Sequence, residues 1–74
     1  MKTANEIKEM KRIRREILNF SDSLRSGNQT SKESMDDILE MYDDYETYIR
    51  EHKLTNGRMS LAIEYIKDYY RDNF

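Results

Sequence analysis

Carboxylates are the chemistry-bearing groups this sequence offers most densely. Residues 33–51 carry Glu33, Asp36, Asp37, Glu40, Asp43, Asp44, Glu46 and Glu51 against a single base, Arg50. At helical spacing Asp36, Asp37, Glu40, Asp43 and Asp44 share one arc. Two carboxylates can share acid–base work when they face each other across a cleft from different elements. A row on one helical face does not meet that need. The stretch around Asp43 lacks the glycine and ligand spacing of a calcium loop, and no Glu-x-x-His motif offers a di-metal bundle site. A rigid carboxylate row can instead present charge to a basic groove as a nucleic-acid backbone does. Such contacts weaken as salt rises. Tyr48 falls at the edge of this row.

The second charged group is basic. Lys2, Lys8, Lys11, Arg12, Arg14 and Arg15 crowd the first fifteen positions, opposed by Glu6 and Glu9. On a helical wheel Lys8, Lys11, Arg12 and Arg15 lie opposite the apolar stripe. They form a candidate anion-binding arc for phosphate or a nucleotide-like ligand. No aromatic residues interleave with them and an acidic segment follows, so direct nucleic-acid binding is disfavoured. A helix-turn-helix reading of residues 45–66 is weaker, because Glu64 and Asp68 on its recognition helix would repel phosphates.

Other catalytic chemistry is missing. His52 is the only histidine and cysteine is absent, so there is no triad, no thiolate and no histidine-rich metal site. Gly27 and Gly57 stand alone and make no phosphate-cradling loop. The expectation is a non-enzyme without metal or cofactor. Tyr42, Tyr45, Tyr65, Tyr69 and Tyr70 fall mainly on apolar faces, where packing is their ordinary role. Tyr65, Tyr69, Tyr70 and Phe74 also suit an exposed aromatic patch. Such a patch could anchor a partner, or stack on a base with Arg58, Lys67 or Arg71 on its phosphate.

Three helices must position these groups. The polar cluster at residues 26–31 and the turn at residues 55–57 divide the chain. Residues 4–24 carry apolar positions at Ile7, Met10, Ile13, Ile17, Phe20 and Leu24, with Leu18 off the stripe. Thr3 with Glu6 reads as a capping box. Residues 31–54 repeat the pattern with Met35, Ile38, Tyr42, Tyr45, Ile49 and His52, and Leu39 widens the face. Thr30 with Glu33 is a candidate capping box, and Ser31 is the other candidate cap. Residues 58–72 present Met59, Ala62, Ile63, Ile66, Tyr69 and Tyr70. The short Asn56-Gly57 turn predicts an αα-hairpin between the second and third helices.

Composition sets the scale. The chain has 74 residues, 36% hydrophobic and 38% charged, with a net charge of −2. That is one domain, with a core near the lower limit for independent stability. Proline is absent, so long helices meet little resistance. A soft core of tyrosine and methionine favours association, and a helical dimer or higher oligomer is expected. No apolar run reaches membrane-spanning length, and the first residues have no apolar stretch of signal-peptide type. A cytoplasmic protein is the expectation.

Met41-Tyr42-Asp43-Asp44-Tyr45, followed by Asn56-Gly57, resembles a pattern in small phage-encoded helical proteins. The likeness covers the C-terminal half and departs where the helix continues past Tyr45. It implies an accessory protein of the host-cell cytoplasm that binds a host protein, such as a defence or nucleic-acid-handling factor. The function expected is therefore a non-catalytic protein–protein interaction module that regulates or inhibits by surface occlusion. Its expected contacts are Asp36, Asp37, Glu40, Asp43, Asp44 and Tyr48, with Tyr69 and Tyr70 as anchors. The alternatives are an oligomer that sequesters a nucleotide or another anion through Lys8, Lys11, Arg12 and Arg15, and a structural helical assembly protein.

Overall fold

A computed structural model describes residues 3–74, with side chains from Asn5 onward. The expected Thr3 cap and Lys2 lie outside those side chains. The described residues form three helices and no strand: α1 (Thr3–Arg25), α2 (Lys32–Glu51) and α3 (Met59–Asn73). Every pair of helices is in contact.

Each helix starts or stops for a local reason. Ser31 caps α2: its backbone is extended and its hydroxyl accepts the Ser34 N–H at 3.1 Å. Of the two candidate caps, Ser31 is therefore the one used. α1 ends in a Schellman closure, with Gly27 N–H on the Leu24 carbonyl and Asn28 N–H on that of Ser23. Gly27 has φ +91°, the left-handed geometry that glycine adopts without a Cβ penalty. α2 ends in the same way. Lys53 N–H reaches the Arg50 carbonyl and Leu54 N–H that of Ile49. Here Lys53 holds the left-handed position, at φ 54°. This closure stops α2 at Glu51, short of the expected Leu54.

The core follows the expected stripes through the middle of the molecule. Ile13, Ile17 and Leu24 from α1 meet Met35, Ile38, Tyr42 and Tyr45 from α2 and Met59, Ile63 and Ile66 from α3. Ile17, Met35, Met59 and Ile66 are fully buried, and burying each contributes about 1.5–3 kcal/mol. Ser21 also lies in the interior, 2% exposed, whereas the stripe predicted Phe20 there, which is only partly buried. Ser21 shares a cleft with Ala62, so small side chains meet where α1 and α3 cross.

The ends of the stripes depart from expectation. Ile7 is 41% exposed and His52 is exposed as the C-cap of α2. The cause is the placement of α3. Residues 52–58 turn back along the α1–α2 pair before α3 begins, and Asn56 Nδ2 donates to the Tyr42 hydroxyl at 2.9 Å. Arg58 and Leu61 then lie beside Leu18 and Arg25. Arg25 sits over the Tyr65 ring, and Lys32 over that of Tyr70. The hairpin is thus antiparallel, as expected, but offset. Its third arm covers only the half of the molecule built from the end of α1 and the start of α2. The result is a rod with extents of 41 × 18 × 18 Å.

Candidate functional site

The acidic row is where the sequence placed it. Asp36, Asp37, Glu40, Asp43 and Asp44 are all exposed on α2. Lys32 lies 3.8 Å from Asp36, and Arg50 lies 3.5 Å from Glu46. Both pairs are solvent-exposed and of little energetic weight. Asp37, Glu40, Asp43 and Asp44 form no ion pair with a described residue. Asp37 also borders a shallow recess between α1 and α2, with Glu16, Asn19, Phe20, Ser34 and Ile38. The Ser31 cap at one end and the Schellman closure at the other hold the helix carrying this row.

The expected aromatic contacts divide between the two ends. Tyr70 is half-buried beneath the Lys32 ammonium, 5.7 Å from its ring centroid. Because Lys32 also reaches Asp36, Tyr70 sits beside the start of the acidic row. The Tyr70 hydroxyl and the Asp36 carboxylate together hold the Lys32 pKa above its usual range. Tyr69 and Tyr70 both lie against Phe74, with ring centroids 6.4 and 5.7 Å away. Phe74 is 51% exposed. Tyr48 belongs to the opposite end, roughly 18 Å along α2 from Asp36 at the rise of an α-helix. Its ring stacks on His52 at 4.2 Å. The structure thus joins Tyr70 to the first carboxylates through Lys32, sets Tyr69 against Phe74, and separates Tyr48 from those carboxylates.

The basic arc is rearranged. Arg12 makes a two-pronged contact with Glu9, at 2.7 and 3.0 Å, and reaches Glu16 at 3.0 Å. The hydrogen bond from Arg12 holds the Glu9 carboxyl below its usual pKa. Arg12 is thereby occupied by its neighbours. Lys11, Arg14 and Arg15 instead border a recess with Leu18 and Asn19. Lys8 is exposed beside them.

His52 acts as a capping residue. Its backbone N–H donates to the Tyr48 carbonyl, its Nδ1 lies 3.0 Å from the same oxygen, and its Nε2 stands 3.8 Å from Glu6. Among the described residues no group of three or more His, Asp or Glu side chains is placed to hold a metal ion. No described helix is long and apolar enough to cross a membrane.

A second surface escaped the sequence reading. Ile7, Met10, Tyr45, Tyr48, Ile49 and Leu54 line an apolar cleft at the end of the rod that α3 leaves uncovered, with Lys11 and Arg14 beside them. Leu54 falls outside any helix and gave no periodic signal. The mismatch in length between the stripes of α1 and α3 was the only available clue. Compared with protein-family models, with curated proteins and with solved structures, the chain matches none.

Proposed function

We propose that this protein is a non-catalytic protein–protein interaction module that occludes a basic surface on its partner with the acidic face of α2. One observation carries the reading: Asp37, Glu40, Asp43 and Asp44 stand exposed and without an ion-pair partner among the described residues, on a helix closed at both ends. Charges held on a preformed element cost little ordering entropy on binding. Apart from Lys32 beside Asp36, the row from Asp36 to Asp44 has no counter-ion among the described residues and offers its field to an incoming cationic groove. Tyr70 and Phe74 flank the start of the row and supply apolar area beside the charge, the pairing typical of interface anchors. The resemblance to small phage-encoded helical proteins points the same way, towards regulation by blocking a host protein. The partner class that fits is a nucleic-acid-handling protein with a phosphate-binding groove.

The test reverses the charge. Asp36→Lys, Asp37→Lys and Glu40→Lys in one chain leave the core untouched, so the helical circular dichroism should persist. Tagged wild-type protein is expected to capture basic nucleic-acid-binding proteins from a nuclease-treated bacterial lysate at low salt. It should release them as salt rises, and the reversed variant should capture none. Capture by the folded variant at wild-type level sinks this reading.

A further inference from the structure

The apolar cleft at the uncovered end of the rod has the position and lining of a helix seat. α1 has 23 residues and α3 has 15, and α3 lies beside only the C-terminal part of α1, so the N-terminal turns of α1 lack a third arm. α3 packs beside α1 from Leu18 to Arg25 and beside α2 from Lys32 to Tyr42. Beyond its first turn the groove between α1 and α2 continues without it. Ile7 and Met10 line one wall of this continuation, and Tyr45, Tyr48 and Ile49 the other, with Leu54 from the returning link beside them. The cleft measures about 270 Å³. Ile7 is 41% exposed and Leu54 51% exposed, adjacent apolar surface that a monomer seldom leaves without a role.

The charge around the cleft selects the occupant. Lys11 and Arg14 line it directly, and Lys8 and Arg15 are exposed on the same helix. None of the four forms an ion pair with a described residue. Of the nearby acids, Glu9 and Glu16 are committed to Arg12 and Glu46 to Arg50, and Glu6 stands 3.8 Å from His52. Asp44, on the far side of Tyr48, forms no ion pair with a described residue, so the cationic wall of the cleft is that of α1. We propose that this cleft is a docking site for an acidic amphipathic helix from a partner protein. That helix would set apolar residues at i, i+3 or i+4, and i+7 into the cleft, with its Asp or Glu residues against Lys11 and Arg14. A second copy of this chain fits poorly. Two such clefts face to face would oppose the same cations, and like charges across an interface disfavour pairing. The acid-rich α2 has its own apolar face buried in its own core. The inference goes beyond the acidic-face reading and concerns a separate surface, which meets the acidic one only near Tyr48.

The probe is a fluorescent synthetic helix of about 16 residues, roughly four turns, with leucines at the three anchor spacings and glutamates flanking them. A matched peptide carries lysines at the flanks. The full chain is expected to bind the acidic peptide about tenfold or more tightly than the basic one. Amide shifts should concentrate at Ile7, Met10, Tyr45, Ile49 and Leu54. Ile7→Glu with Leu54→Lys, both at exposed positions, should weaken binding about tenfold or more while helicity is kept. Lys11→Glu with Arg14→Glu should reverse the peptide preference, which a merely sticky apolar patch would not do. Three outcomes overturn the proposal: equal affinity for both peptides, shifts confined to other residues, or sedimentation showing a wild-type dimer that Leu54→Lys dissolves. The last would assign the cleft to a second copy.

Discussion

At the scale of single residues, Tyr45 separates a packing tyrosine from a titrating one. Its side chain is buried, and that burial raises its phenol pKa above the usual value, with Arg14 opposing the shift. A free phenol ionises near pH 10. Just above that pH the unfolded chain has released this proton while the native chain still holds it. The native state then binds more protons, so stability falls as pH rises through that window. An ultraviolet titration is expected to show a late-ionising phenol contributed by Tyr45. Tyr45→Phe should remove the late step and flatten the alkaline loss of stability. If Tyr45→Phe leaves the late part of the titration curve unchanged, the Tyr45 ring is open to water in solution. The covered cleft wall would then be wrong. Asn56 marks a different kind of constraint. Its Nδ2 is spent on Tyr42, and its Oδ1 is buried without a hydrogen-bond partner among the described residues. An orphaned acceptor costs about 1–3 kcal/mol, a cost carried by a side chain that pins the returning link and so sets where α3 begins.

At the scale of elements, the two Schellman closures form a natural comparison. α1 ends on Gly27 and α2 on Lys53, both in the left-handed region. A Cβ added at Gly27 would meet nothing within 4 Å, so its cost is one of backbone conformation alone. Gly27→Ala is expected to destabilise the protein by about 1 kcal/mol, and Lys53→Gly to stabilise it by a similar amount. For a domain of this size each change should move Tm by about 4–8 °C, in opposite directions. Two shifts of the same sign in thermal unfolding would show that side-chain contacts, rather than φ, govern these ends. The same closures explain what the sequence could and could not reveal. Three-four spacing reads out which face of each helix is buried, and Ile13, Ile17, Met35, Ile38, Ile63 and Ile66 were legible from it. The acidic face was legible for the same reason, since its residues lie opposite those positions. The stop at Glu51 was not, because Lys53 is not a residue type that signals a left-handed turn. The offset of α3 was not legible either. It depends on a contact between Asn56 and Tyr42, fourteen positions apart, which no local pattern encodes. That offset is what uncovers Ile7 and Leu54.

At the scale of the whole molecule, the offset makes the rod unequal along its length. One half is a three-helix core holding the fully buried Ile17, Met35, Met59 and Ile66. The other is a two-helix tip, where Ile7 and Leu54 are exposed and Met10 and Ile49 are only partly covered. Net stability for a chain of this size is of order 4–11 kcal/mol, and most of the buried apolar area that supplies it lies in the first half. The tip can therefore open without the core. Native-state hydrogen exchange should show the slowest amides within residues 13–24, 35–45 and 59–66. Amides of residues 9–12 and 46–49 should exchange about tenfold faster or more, a local opening cheaper than global unfolding by about 1.4 kcal/mol. Residues 9–12 are informative because they stand more than a turn inside α1, beyond ordinary end fraying. Protection that stays uniform from residue 9 to residue 24 would mean that the rod unfolds as one unit and that a third helix is not needed at the tip. If the gradient is present, the acidic helical peptide should slow exchange at the tip, and should slow the core amides by the same factor, because global unfolding also releases the peptide. A ligand that supplies the missing third arm completes the bundle where it is incomplete, and mass action adds its binding energy to every opening that exposes the tip, local or global.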